Sequence, residues 1–237
     1  MEVRIGTAGW SIPRAAAAAF PGDGTHLARY ARVLPAAEIN SSFHRPHSEA
    51  TYRKWAEATP LSFRFAVKLP RTITHEGALR RVRAPLERFL GESAGLGGRR
   101  GPLLVQLPPK FAFDARVVAR FFELLRTRVE GDVVCEPRHA TWFTPRAEAL
   151  LREWRIARAG ADPPRVPGGD RPGGWDGLRY YRLHGSPRVY WSRYEVSDLD
   201  RLAREIRDGA VRTWCIFDNT ASGAAAANAL EMASRLL

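Results

Sequence analysis

The chain has 237 residues, 45% of them hydrophobic, and a formal net charge of +12. That apolar content supports a substantial core and excludes a largely disordered chain, and no apolar run approaches the ~18 residues that span a bilayer. The basic residues are three lysines and 34 arginines spread along the sequence, a pattern of GC-rich coding and a solvated surface more than of a concentrated nucleic-acid footprint.

The N-terminus, "MEVRIGTAGW", enters a strand-like run with no basic region followed by an apolar signal segment, which makes the cytoplasm the expected location. Strand-like runs then follow at "VRIG" (3–6), "AAEIN" (36–40), "FRFAVK" (63–68) and "PLLVQL" (102–107). Four more are "DVVCE" (132–136), "RIARAGA" (155–161), "LRYYRLH" (178–184) and "TWCIFDN" (213–219). All are short and apolar, as strands covered on both faces should be. Amphipathic helical patterns fill most of the gaps. One has Leu27, Tyr30, Ala31 and Leu34 on a stripe; one opens at Ser48 as N-cap. Another, behind Asp114, carries Val117, Val118, Phe121, Phe122 and Leu125 on one face.

Eight strands alternating with helices predict an α/β fold, a single-domain (β/α)8 TIM-barrel-like architecture over residues 1–237, with a doubly wound open sheet as the alternative. One unit is irregular. Between the sixth and seventh strands, Asp162 to Gly177 holds too much proline and glycine for a helix, and a mobile segment beside the rim is expected, with Trp175 as its anchor. The stretch 91–101 reads as a flexible connector, and Cys135 and Cys215 as two buried thiols.

The polar residues gather at the strand ends. Glu38 and Asn40 close the second strand, Lys68 the third, Gln106 the fourth, and Glu136, Arg138 and His139 the fifth. Asp162 ends the sixth, Arg182 and His184 the seventh, and Asp218 and Asn219 the eighth. Alternation puts Glu38 with Asn40, and Arg182 with His184, on one face. In a barrel these ends converge on the mouth, where active sites sit.

The ordered motifs "IGTAGW", "EINSSFHRP", "FRFAVKLPRTITHE", "LLVQLPP", "CEPRHATWF", "YRLHG" and "FDNTASGAAAANAL" resemble the YecE-like family, bacterial and archaeal proteins that share a domain of unknown function. The resemblance runs from about Ile5 to Leu230 and implies a TIM-barrel-like domain without supplying an activity. Its signature falls on Trp10, Glu38, Asn40, Phe43, Lys68, His75, Gln106, Glu136, Arg138, His139, Trp142, Arg182, His184 and Asn219. The chain departs from the family pattern at His44, usually tyrosine, at Asp218, usually a second asparagine, and at Ile12 and Arg14, usually aromatic.

This constellation points to a barrel-mouth enzyme doing hydrolase, lyase or isomerase chemistry on a small anionic, phosphorylated or carbohydrate-like substrate. Glu136 and Glu38 are the candidate acid/base pair, and His184 and His139 the proton carriers. Their bland reading is structural ion pairing: Glu136 with Arg138 or Arg182, Glu38 with Lys68. Lys68, Arg138 and Arg182 suit an anion, as does His75 beside Arg71. Asn40, Gln106 and Asn219 could bond the substrate, and Trp10, Tyr190 and Tyr194 could stack on it, whereas Trp142 reads as packing. A divalent metal on Glu38, Glu136, His139, Asp162 and His184 is conceivable, but no compact histidine spacing marks one, so no metal ligand is assigned. No cofactor or oligomeric state is specified, and no GxxxxGK[ST], GxGxxG or GxSxG motif occurs. The competing class is a nucleic-acid-binding protein or nuclease that uses the basic surface with Tyr190 and Tyr194.

Overall fold

A computed structural model describes residues 2–236. Its strands are β1 (Val3–Ala8), β2 (Ala36–Ile39), β3 (Arg64–Lys68), β4 (Arg100–Gln106), β5 (Val133–Glu136), β6 (Ile156–Arg158), β7 (Gly160–Asp162), β8 (Gly173–Gly174), β9 (Arg179–Leu183) and β10 (Thr213–Phe217). From β1 to β6 each strand pairs in parallel with the next, and β9, β10 and β1 continue the ring. The expected sixth strand is broken at Ala159 into β6, which pairs with β5, and β7, which pairs with β9. One bent strand therefore closes the sheet, and the fold is a (β/α)8-type barrel rather than an open sheet. Gly160 lets the segment after β7 pack against this strand, because a Cβ there would collide with the Asp170 carbonyl.

The helices are α1 (His26–Ala31), α2 (Ser41–His44), α3 (Glu49–Glu57), α4 (Arg83–Ser93), α5 (Ala115–Arg126), α6 (Pro145–Glu153), α7 (Val196–Gly209) and α8 (Ala224–Leu236). Ser48 and Asp114 cap α3 and α5 as expected, each accepting from backbone N–H groups of the first turn. The predicted stripe on α5 is buried throughout, each aromatic contributing about 2–3 kcal/mol. Stretch 91–101 is not a flexible connector. It completes α4, makes a 3-10 turn over Ala94–Arg99 with Leu96 buried, and starts β4. Gly95 lets that turn lie against the α3 backbone at Glu49, where a side chain would not fit.

The unit after β7 has no helix, as its composition requires. Its second half is nonetheless tied down: β8 pairs antiparallel with β6, Trp175 N–H donates to the Ile156 carbonyl at 2.9 Å, and Gly174 N–H to Glu148 Oε2 at 2.5 Å. Cys135 and Cys215 are buried free thiols. No helix among the described residues is long and apolar enough to cross a membrane.

Two apolar layers follow from strand alternation. Ile5, Val67, Val105, Cys135 and Phe217 face the helices. Ala36, Ala66, Leu104, Val134, Ala157, Tyr180 and Ile216 form a separate cluster with Trp214, which is the filling of the barrel itself.

Candidate functional site

Two residues along from those barrel-filling positions, on the same face of each strand, stand Glu38, Lys68, Gln106, Glu136, Ala159, Arg182 and Asp218. One step of the two-residue period converts an apolar plug into a charged layer below the mouth. All of these polar side chains are buried, so each needs a partner.

Arg182, fully buried, is the hub. It donates from Nη2 to Glu38 Oε1 at 2.6 Å, from Nε to Glu38 Oε2 at 3.1 Å, from Nη1 to Glu136 Oε2 at 2.6 Å and from Nη2 to Asp218 Oδ2 at 2.9 Å. Tyr180 O–H completes Glu38 at 2.8 Å, while Gln106 Nε2 and Arg138 Nε donate to Glu136 Oε1 at 3.0 and 2.9 Å. Burial opposes ionisation of Glu136, but Arg182 and Arg138 outweigh it and hold the carboxyl well below its usual range. Burial likewise works against Asp218, and Arg182 and His184 overcome it.

The expected acid/base pair is thus occupied otherwise. Both glutamates grip one guanidinium, which fills the space a glycosidic bond would need between two catalytic carboxylates. The Glu38–Lys68 ion pair is not formed; Glu38 spends its oxygens on Arg182 and Tyr180. The carboxylates also converge on a guanidinium where a metal would have to sit, and no group of three metal-binding side chains occurs among the described residues.

One group just above the layer and one within it keep a nitrogen without a hydrogen-bond partner among the described residues. His184 Nδ1 lies 3.1 Å from Asp218 Oδ2, and its buried Nε2, 3.7 Å from Glu136 Oε1, has no hydrogen-bond partner. Burial depresses this imidazole, but Asp218 and Glu136 win and its pKa is raised. Lys68 has no ion pair or hydrogen bond at Nζ among the described residues; its ammonium lies 4.3 Å from the centre of the Phe43 ring. Burial, then Arg182, lower its pKa to about 8. Three carboxylates face two guanidiniums, so one negative charge is left for Lys68 and His184 to balance between them.

Above this layer a cleft of about 250 Å³ opens between Glu136, Arg138, His184, Pro163, Val166 and Tyr190. Arg138 enters it with the Tyr190 hydroxyl alongside, and the Tyr190 ring meets His184 edge-on at 5.4 Å. Tyr190 adopts a positive φ of 66°, an unusual conformation for a bulky residue, and its backbone N–H bonds the His184 carbonyl at 2.5 Å. His75 lies on a π-helical turn (Thr72–Glu76), edge-on to Phe43 at 4.9 Å. Its pKa is lowered by burial and then by Lys68, Arg138 and Arg71.

Other expected residues have different work. His139 caps the short helical turn at Ala140–Trp142 by accepting from Thr141 N–H, and is not brought into the layer. Tyr194 is buried, its hydroxyl donating to Asp162 Oδ2 at 2.6 Å and accepting from Gly185 N–H at 2.9 Å, so it braces loops rather than stacking on a ligand. Asn219 bonds Ser192 and Asn228, and Trp10 packs on Trp55 and Phe65. Asn40 starts α2 with its Oδ1 buried and unpartnered. Trp142 is core, as expected, with Nε1–H on the Phe111 carbonyl. Missing from the expected site was Tyr180, while Asp218, read at the rim, carried no assigned role. Tyr180 stands two residues before Arg182, so strand parity could have found it.

The family model DUF72, described as "Protein of unknown function DUF72", matches residues 4–237. Over 109 residues the chain is 32% identical to the UPF0759 protein YecE of Escherichia coli K12, covering 46% of this chain and 39% of that protein. The chain thus spans about two fifths of the curated relatives it matches. A DUF72 family protein from Enterococcus faecalis V583 superposes with a TM-score of 0.81 at 21% identity, covering 99% of this chain and 95% of that one. One from Thermotoga maritima MSB8 gives 0.78 at 24%, covering 99% and 98%. More remotely, a sugar phosphate isomerase/epimerase from Parabacteroides distasonis shares the fold with a TM-score of 0.52 at 11% identity, over 99% and 95%.

Proposed function

The chain belongs to the DUF72 family, and we propose that it is a barrel-mouth enzyme that moves protons on a small anionic, phosphorylated or carbohydrate-like substrate. The observation that carries this reading is the buried, unpartnered Nε2 of His184 in the cleft wall, with Nδ1 anchored on Asp218. A carboxylate behind one nitrogen orients the ring and strengthens the other as a base. Arg138 supplies a cation for the substrate's anionic group, and the buried Arg182 cluster keeps the surrounding layer rigid. Glu38 and Glu136 are counter-ions in this reading, in place of the acid/base roles their sequence positions suggested. Isomerase or lyase chemistry suits such a site better than hydrolysis between paired carboxylates. A remote fold neighbour named as a sugar phosphate isomerase/epimerase is compatible with that choice, although fold alone does not determine function.

Solvent-deuterium incorporation, followed by NMR over a panel of sugar phosphates and oxo- and hydroxy-acids, tests the reading. One panel member should exchange a C–H with wild-type protein and lose ~100-fold in rate with His184→Gln. If no member exchanges, or the variant exchanges as fast, the assignment is wrong.

A second reading rests on the exposed rim beside the cleft, where Arg188 stacks over Trp191 at 4.4 Å. A basic, aromatic rim also fits single-stranded nucleic acid. Fluorescence anisotropy with RNA and DNA oligomers separates the two: binding that falls steeply with salt supports this reading, and none at low salt removes it.

A further inference from the structure

Lys68 closes β3 with its backbone pinned, the Ser42 hydroxyl donating to its carbonyl at 2.6 Å. A lysine that holds an anion is usually solvated or paired in the free protein. Lys68 is neither: it is 8% exposed, its Nζ bonds no acceptor among the described residues, and it lies over the Phe43 ring. Among its charged neighbours Arg182 opposes its protonation, while Glu136, Glu38 and Asp218 favour it without outweighing burial and the guanidinium; Lys68 acts in turn, with Arg138 and Arg71, on His75. Burial and a nearby positive charge are the two ways to keep an amine deprotonated and nucleophilic near neutral pH.

We infer that Lys68 is a nucleophile that forms a Schiff base with a small aldehyde or ketone, whose anionic group is held by the neighbouring Arg138 and Arg71 guanidiniums. This names the substrate class of the proposed barrel-mouth enzyme and rests on that reading. In the addition step the neutral amine's lone pair bonds the carbonyl carbon, the C=O π pair moves to oxygen, and a proton leaves nitrogen for that oxygen. In the second step solvent protonates the hydroxyl, which departs as water while the nitrogen lone pair closes a C=N⁺ bond. The net change is amine plus carbonyl plus one proton giving iminium plus water. The iminium acidifies the adjacent C–H, so that His184 Nε2 can take that proton and leave an enamine.

The chain contains its own controls. Lys54 and Lys110, the other two lysines, are exposed. At pH 7.5 an amine that titrates near 8 has roughly a hundredfold more free base than an ordinary lysine. Wild-type protein is incubated with glyoxylate or dihydroxyacetone phosphate and sodium cyanoborohydride, then peptide-mapped by mass spectrometry, which also separates Lys68 from the N-terminal amine. The expected result is an adduct on Lys68 at least tenfold above Lys54 and Lys110, slowed by inorganic phosphate and absent in Lys68→Met. Labelling of Lys68 at or below the two exposed lysines overturns the inference, and requires no variant to fold. Deuterium incorporation that survives Lys68→Met also overturns it while leaving the proton-transfer reading standing. Selective trapping with no incorporation from any panel member keeps the nucleophile and sinks that reading instead.

Discussion

His184 holds its Nδ1 3.1 Å from Asp218 Oδ2, just past the paired ends of β9 and β10, while its Nε2 is buried without a hydrogen-bond partner. One nitrogen is anchored and the other is left for chemistry. The pair also predicts a pH signature. A histidine whose pKa is raised in the folded state stabilises the fold below the unfolded value near ~6.5 and loses that contribution as pH rises through the folded value. His184→Gln should therefore cost more stability at pH 5 than at pH 9 in urea titrations. Equal costs at the two pH values would rule out a charged imidazole against Asp218.

Arg182→Met should be the most damaging single change in the barrel. It leaves three carboxylates buried around an apolar side chain, and stranding even one buried partner costs about 3–5 kcal/mol. Circular dichroism melts are expected to show a large drop in Tm or no cooperative transition. Arg138→Met, at the edge of the cleft, should be milder. A folded Arg182→Met protein of near wild-type stability would mean that the carboxylates do not depend on the guanidinium.

Lys68→Met should behave in the opposite way. Folding lowers this amine from 10.5 to about 8, so the unfolded chain binds the extra proton and stability rises with pH between those values. Below pH 8 the full penalty is present, and removing the amine while keeping the stem relieves up to ~3 kcal/mol. The variant should melt higher than wild type at pH 7, with the gain fading from about pH 8 and gone above 10.5. No gain at pH 7 would show that the amine is not desolvated.

Hydrogen exchange should divide the segment after β7. Amides near Gly174 and Trp175 are bonded to Glu148 and Ile156, and should be protected without ligand. The amides of Arg165, Val166 and Gly168, in a mostly exposed stretch whose three prolines carry none, should exchange quickly and gain protection when a sugar phosphate fills the mouth. Slow exchange at Arg165, Val166 and Gly168 in the free protein would defeat the expectation of a mobile segment beside the rim.

The same segment marks how far sequence reading reaches. Four prolines and its glycine pairs rule out a helix on composition alone. Its second half docks because Gly160 and Gly174 allow close backbone approach across β6 and β7, a contact that no local pattern announces. The connector at 91–101 failed in the same way, with Gly95 serving packing rather than flexibility.

The chain by itself determined the alternation of strands and helices and the polar strand ends, and left open whether the sheet closes. Strand and helix periods, and the two-residue step from Ala36 to Glu38, Ala66 to Lys68 and Tyr180 to Arg182, are local properties readable without coordinates. What each polar group faces was decided only by closure of the sheet. Closure brings Glu38 onto Arg182 across 144 residues of sequence and Glu136 across 46, turning two expected catalytic carboxylates into the counter-ions of one buried cation. The same closure left Lys68 and His184 unspent. Pairing of charges depends on distances of a few ångströms between strands remote in sequence, and side-chain alternation specifies a face but never a partner.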